Sequence, residues 1–237
     1  MALETNVKLY WLGHSAFKII APNDSVLLID PFLSQNPKTP DSEKNQDKVD
    51  YILLTHGHED HVGDTLDIAK NTGCKVVSIV ELSGLLKKQG LAEEQAVEFN
   101  KGGKLEFDGF SVSMTNANHS SSFGGEYAGD PAGLVISFTD DITIYHAGDT
   151  NIMPVFSIYK DLYAPDVAIL PIGDYYTMGH SEAALSATML RPKIAIPCHY
   201  GTFPVLVGDP EKFKKETEEK TDGNTQVIIP EAGKSIF

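Results

Sequence analysis

Cysteine is scarce in this chain. Cys74 and Cys198 are the only two among 237 residues, and they form neither a C-x-x-C pair nor a disulfide framework. Basic residues are also few: 19 lysines and arginines stand against 33 aspartates and glutamates, for a formal net charge of −14. A nucleic-acid binder needs a basic face to displace counterions, so this chain is expected to repel a polyanion at long range. Only local positive charge, such as a bound metal ion, would draw in a single phosphate. The same deficit disfavours binding to an anionic membrane surface. No apolar run approaches the ~18 residues of a membrane span. The opening MALETNVKLYWLG has no basic segment followed by an apolar one. No linker or low-complexity tract interrupts the chain. These absences predict a reduced cytoplasmic protein with one domain over residues 1–237.

What is present is an ordinary globular balance, 41% hydrophobic and 22% charged, enough apolar residue to form a core. Short apolar, β-branched runs flanked by Gly, Pro, Asn and Asp mark strands: VKLYWLG, FKIIA, VLLID, YILLTH, KVVSIV, FSVSMT, GLVISF, ITIYHAGD, VAILPIGD, KIAIPCHY and QVIIP. Helical spacing falls over residues 63–70 and 82–88, over HSEAALSATML, and over DPEKFKKETEEK. Hairpins early and strand–helix alternation later predict an α/β fold with antiparallel edges. VLLID, YILLTH and KVVSIV begin 25 and 24 residues apart; ITIYHAGD, VAILPIGD and KIAIPCHY begin 25 and 26 apart. Two similar halves are the simplest account, although such a step is also the usual strand-to-strand period of α/β chains. Residues 34–48 and 118–133 read as long surface loops, the kind that often serve as lids.

Ligands in open α/β sheets sit beyond the carboxyl ends of strands. Seven metal-ligating side chains emerge from four such ends: His56, His58, Asp60 and His61 after YILLT, His119 after SVSMTNAN, Asp149 after ITIYHAG, and His199 after KIAIPC. A solvated polar turn would account for one such cluster but not for its recurrence. In an extended loop alternate side chains share a direction, so His56 and His58 are placed to grip one ion while Asp60 and His61 face a second. Gly57 between them is read as the residue that lets the loop turn tightly. Asp149, with two oxygens, is placed to bridge. One ion would then take His56, His58, His119 and Asp149, and the other Asp60, His61, His199 and Asp149. Imidazole and carboxylate suit zinc, manganese, iron or nickel. The lack of a nearby thiolate argues against a structural zinc site.

The run THGHEDH resembles the H-x-H-x-D-H signature of the metallo-β-lactamase superfamily, and His119, Asp149 in GDT, and His199 follow in that family's order. WLGHSAF, LIDPF, IYHAGDT, PIGDYYTMG and CHYGTFP resemble one branch, that of the ascorbate-6-phosphate lactonases and related metal-dependent hydrolases. The resemblance extends over essentially the whole chain. It implies a four-layer αββα sandwich with a dinuclear site along one edge. It disfavours the dioxygen-reducing diiron branch, which replaces one of the first histidines with an acid. It also disfavours the nuclease branches, which carry an added RNA-binding domain or arm.

Other residues have weaker claims. His14, in LGHS at a hairpin bend, is either a group supporting ligands or substrate, or a satisfied polar turn. Asp30, ending LIDPF, is expected to orient a ligand histidine rather than bind metal itself. His146 lies inside a strand and reads as a packed, hydrogen-bonded histidine. Ser181 reads as a helix cap, and His180 as a candidate proton donor to a leaving group. Tyr127, Tyr175, Tyr176, Met178 and Phe203 shape a substrate pocket or simply pack their loops. Glu59 is expected to be solvated, and Cys198 to be a buried structural thiol.

The expected reaction is hydrolysis at two divalent ions, zinc foremost, sharing a hydroxide that Asp60 also orients. The expected substrate is a small-molecule ester: a small or cyclic phosphodiester first, a phosphorylated sugar lactone second. A non-enzymatic metal-binding regulatory protein is the alternative of another class. The residues leave the oligomeric state open, a homo-oligomer included.

Overall fold

The computed structural model describes residues 3–139 and 141–237. The chain opens with β1 (Lys8–Gly13) and β2 (Ala16–Ile20), an antiparallel hairpin reversed at His14 and Ser15 with an irregular register between Trp11 and Gly13. β3 (Val26–Ile29) completes the antiparallel edge, and β4 (Tyr51–Leu53) then pairs with it in parallel. Two short helices follow, α1 (Glu59–Val62) and α2 (Thr65–Thr72). β5 (Lys75–Ile79), α3 (Val80–Lys88) and β6 (Ala96–Phe99) finish a six-stranded sheet in the order β1-β2-β3-β4-β5-β6.

β7 (Lys104–Phe107) and β8 (Phe110–Asn116) start a second sheet, and a small hairpin, β9 (Ser122–Phe123) with β10 (Glu126–Tyr127), stands apart from both. β11 (Ala132–Phe138), β12 (Thr143–His146), α4 (Phe156–Tyr163), β13 (Val167–Pro171), α5 (His180–Leu190), β14 (Ile194–Cys198), α6 (Pro210–Lys220) and β15 (Gln226–Val227) follow. The second sheet has seven strands in the order β15-β14-β13-β12-β11-β8-β7. β3-β4-β5 in one sheet and β12-β13-β14 in the other are parallel neighbours, so each 25-residue step is one strand crossover.

Period-two alternation builds the layers. Val167 and Ile169 of β13, with Ile194 and Ile196 of β14, join the core that also holds Leu27, Ile29, Ile52 and Leu53 of the first sheet. Their sequence neighbours Ala168, Leu170 and Ala195 face the other way, into a second core with Phe156 of α4, Ala183 and Ala187 of α5, and Phe213 of α6. Strands covered on both faces read as continuous apolar runs, hence VAIL and IAI. Each fully buried Leu or Ile contributes about 1.5–3 kcal/mol. The result is the expected α/β sandwich of two sheets with helices outside. Among the described residues no helix is long and apolar enough to cross a membrane.

Several elements differ from the sequence reading. The helix expected over 63–70 begins at Thr65, because Gly63 at φ 43° breaks it from α1. A Cβ on Gly63 would lie 2.5 Å from Phe32 Cα and 2.6 Å from Pro31 O. α4 was not foreseen; it buries Phe156 and Tyr159, while Ile158 and Leu162 on its outer face are 61% and 64% exposed. β6 and β7 are edge strands, and β7 alternates polar and apolar residues from Lys104 to Phe107. Of QVIIP only Gln226–Val227 pairs.

Candidate metal centre

The ends of β3, β4, β8, β12 and β14, with the β1–β2 turn, deliver polar side chains to one edge of the sandwich. His56 and His58 leave β4 in extended backbone; His58 is the residue before α1 and has φ −66° and ψ 149°. The one-turn α1 then presents Asp60 and His61. Gly57 is not a tight-turn residue, contrary to the sequence reading, since its φ is ordinary. It is required by close approach, because a Cβ there would lie 2.4 Å from Ala128 Cβ, beside the β9–β10 hairpin.

Three groups of potential ligand atoms result, each gathered within 4.8 Å. One comprises His56, His58 and His119; a second His14, Asp60, His61 and His199; and a third, Asp30 with His56 and His61, lies behind them. In the first, His56 Nε2 and His58 Nδ1 converge to 2.9 Å. In the second, His14 Nε2 donates to Asp60 Oδ2 at 3.1 Å, and His14 Nδ1 lies 2.9 Å from the Thr202 hydroxyl. Asp149 joins the first two groups: its Oδ2 lies 3.0 Å from His199 Nε2, 3.3 Å from His61 Nε2 and 3.7 Å from His119 Nε2.

Behind these ligand atoms runs a fully buried network that fixes them. Asp30 Oδ2 accepts from the Thr55 hydroxyl at 2.6 Å and from His61 Nδ1 at 2.7 Å, while Oδ1 accepts from Thr55 N at 2.9 Å. The Thr55 hydroxyl gives its one proton to Asp30, so it accepts from His56 Nδ1 at 3.0 Å. Both imidazoles are thereby held in the tautomer that leaves Nε2 free to ligate. Three of these residues occupy left-handed backbone: His14 at φ 56°, Asp30 at 45° and His199 at 56°. Such conformations cost about 1–2 kcal/mol each and persist where surroundings over-determine them.

Electrostatics separates the imidazoles. Burial, then the charge of His61, holds His56 well below the usual histidine range, and burial likewise lowers His58 and His119. Burial and the neighbouring His199 press His14 down to about 4. Burial opposes charge on His61 too, but Asp149 and Asp30 outweigh it and raise that imidazole well above its ordinary value. For Asp60 burial works upward, yet the His14 hydrogen bond and His61 keep it below the carboxylate range; His199 and His61 do the same for the fully buried Asp149.

Within this polar core His61 Nε2, Asp149 Oδ1 and His199 Nδ1 are buried without a hydrogen-bond partner. His61 Nε2 has Asp149 within ion-pair range but not in hydrogen-bond alignment. Buried polar atoms left unpaired cost about 1–3 kcal/mol each. Six imidazoles and two ionised carboxylates converging on such orphaned atoms fit a pair of borderline divalent cations, which would satisfy them. The residues present therefore fit the metal that the sequence led us to expect.

The sequence model described as the β-lactamase superfamily domain matches residues 26–200, which span His56 to His199. The chain belongs to this superfamily. Within it, the chain is 43% identical over 235 residues to a UPF0173 metal-dependent hydrolase of Methanosarcina mazei, covering 98% of each, and 41% identical over 235 residues to one from Herpetosiphon aurantiacus, covering 97% of each. Among solved structures it resembles Igni18, a metallo hydrolase of Ignicoccus hospitalis, with a TM-score of 0.86, 38% identity and 97% of each chain covered. An isothiocyanate hydrolase from Delia radicum gut bacteria, at 20% identity and a TM-score of 0.74 over 97% and 98% of the two chains, shares the superfamily fold.

The expected ligands His56, His58, Asp60, His61, His119, Asp149 and His199 thus lie together. His14 joins them, and Asp30 sits behind His61. Phe203 lines a cleft that opens on Asp60. Other expectations are corrected. His180 is not at the cluster: its Nε2 lies 3.5 Å from Glu216 of α6. Tyr127 is 65% exposed and its hydroxyl donates to Asp130 at 2.8 Å. Ser181 does not cap α5; it donates to Glu216, and Glu182 accepts from the Gly179 N–H at 3.2 Å. Met178 packs in the core, while Tyr175 and Tyr176 meet edge-to-face on the surface. The reading of His146 holds: it is buried and donates from Nε2 to Ser15 O at 3.2 Å. Thr55, Thr202 and Phe32 were missed. Thr55 stands beside His56 in the motif itself, and its one-residue offset was the available signal.

Proposed function

We propose that this chain is a metal-dependent hydrolase that cleaves an ester-type bond of a small molecule at a two-ion site. The supporting observation is the bridging place of Asp149, one oxygen of which lies within 3.7 Å of His61, His119 and His199 at once. One ion would be held by His56, His58 and His119, the other by Asp60, His61 and His199, with Asp149 common to both. Bound divalent ions supply an acidified water and Lewis acidity toward the bond under attack.

The chain's own residues do the rest. Asp60 is kept ionised by His14 and reaches the cleft, so its carboxylate can accept a hydrogen bond from the attacking water and orient it. Asp30 and Thr55 hold His61 and His56 in the ligating tautomer. Phe32 and Phe203 flank the cleft beside Asp60 and displace water from it. Paired ligand sets joined by one carboxylate suit in-line displacement at phosphorus, which favours a small or cyclic phosphodiester. The buried free thiols Cys74 and Cys198 suit a cytoplasmic setting.

Elemental mass spectrometry of the purified chain, with turnover of a chromogenic phosphodiester before and after chelation, tests the reading. About two transition-metal ions per chain, with activity lost on chelation and restored by zinc or manganese, is the expected result. Turnover confined to a parallel lactone panel would move the substrate to the lactone class. Full metal loading with no turnover on either would replace the enzyme with a metal-binding regulatory protein.

A further inference from the structure

The cleft beside Asp60 encloses about 620 Å³. Phe32 and Phe203 form one wall, their rings 6.3 Å apart and inclined at 36°. Both meet the ring of His14 edge-on, at 5.9 and 5.7 Å, so this apolar wall runs directly into the ligand cluster. Phe123, at the tip of the β9–β10 hairpin, adds a third ring to the lining. Every charged residue of the lining is acidic: Glu59, Asp64 and Asp67 join Asp60 beside the uncharged Ser34, Gln35 and Gly63, and no lysine or arginine lines the cleft. Asp64 accepts from Leu33 N and Ser34 N at 2.8 and 2.9 Å, which ties its carboxylate in place. Glu59 and Asp67 are exposed and have no ion-pair partner among the described residues.

Nearby cations do not offset this. Lys44, in the adjoining hollow, is paired with Asp41 at 2.7 Å. Lys101, on the His119 side, is paired with Asp130 at 2.9 Å. Lys38 lies against Gly201, its Nζ 3.8 Å from where a Cβ would stand, and is not part of the lining.

We infer that the cleft selects the substrate by the substituent next to the scissile bond, accepting an uncharged aromatic or aliphatic group and rejecting an anionic one. The inference rests on the hydrolase reading for the bond that breaks, but the charge selection belongs to the cleft. The metal-binding edge can take a single negative charge at the reacting group. A second one, carried into the cleft, would meet three further carboxylates, none of them paired with a lysine or arginine among the described residues. A neutral ring would instead pack against the wall formed by Phe32 and Phe203 and exchange water for apolar contact. This disfavours a phosphorylated sugar lactone whose phosphate lies in the cleft, and any polyanion.

The test compares two phosphodiester reporters that release the same nitrophenolate, one with a phenyl and one with a 4-carboxyphenyl spectator group. The metal-loaded chain should prefer the phenyl ester in kcat/KM by about tenfold at low ionic strength, the preference shrinking as salt rises. Combining Glu59→Gln with Asp67→Asn should narrow that ratio about threefold or more. Both sites are exposed, so the fold is not at stake. Equal turnover of the two reporters, or preference for the carboxylate, overturns the inference while leaving the hydrolase reading standing. Calorimetric binding of phenylphosphonate against 4-carboxyphenylphosphonate covers the case of no turnover. Tighter phenylphosphonate binding, lost in Phe203→Ala, then supports the cleft although the reaction reading has failed; equal binding removes both.

Discussion

Thr55 donates its hydroxyl proton to Asp30 Oδ2 across 2.6 Å, and both residues are buried beneath the edge where the candidate ligands converge. That single proton decides the tautomer of His56, because a hydroxyl that has given its proton can only accept from Nδ1. Thr55→Val keeps the volume and removes the hydroxyl. It should lower metal affinity about 10–100-fold and stability by about 1–3 kcal/mol. Thr55→Ser should recover most of both. Metal titration and thermal unfolding of the two variants check this, and equal affinity in Val and wild type would refute the tautomer argument.

Asp30→Asn removes one acceptor from a carboxylate that serves Thr55 N, Thr55 Oγ1 and His61 Nδ1 together. Metal affinity should fall within the same 10–100-fold range, roughly, because the ligand atoms remain but lose their orientation. Zinc titration against a competing chelator measures it. A complete loss of metal would instead make Asp30 a ligand.

Removal of a ligand should act more severely. His58→Ala or Asp149→Asn takes away an atom on which the first group or the bridge depends, so both metal content and turnover should disappear. Elemental analysis and a phosphodiester assay on the same preparation decide it. Full activity in a metal-free His58→Ala protein would sink the mechanism.

Metal should also stabilise the fold, since the converging imidazoles and orphaned carboxylate oxygen exist only in the folded chain. At about one hundred times Kd the gain is about 2.7 kcal/mol, or a rise in Tm of about 5 °C or more for a chain of this size. Calorimetric melts with chelator and with added zinc should differ in that direction; coincident melts would show that no tight native site exists.

Gly57→Ala would place a methyl group 2.4 Å from Ala128 Cβ. Either the β9–β10 hairpin or the His56–His58 loop must then move, at about 1–3 kcal/mol. Ala128→Gly in the same chain should return most of the loss. A double-mutant cycle on thermal unfolding would show strong coupling, and additive effects would locate the clash elsewhere.

Much of the ligand set was readable because it follows strand ends, and strand ends are marked by apolar runs giving way to polar residues. THGHEDH concentrates four ligand positions within one loop and one helical turn, where local geometry alone sets their directions. His14 was harder to place: the turn at Gly13 and His14 is visible in sequence, but its 3.1 Å contact with Asp60 joins residues 46 positions apart. His180 failed for the converse reason. Its position at the start of a helix was right, yet α5 packs on α6 and brings it to Glu216.

The sequence by itself determined the alternation of strands and helices, the acidic character, and the order in which the candidate ligands leave their strands, all of which depend on residue type and short-range spacing. Tertiary structure alone decided that His14 joins the Asp60 group, that Thr55 and Asp30 lie behind His56 and His61, that Gly57 must yield to Ala128, and that three phenylalanines and three carboxylates share a cleft with Asp60. Those relations arise where two sheets and separate loops meet, and no local periodicity records a contact made across the fold.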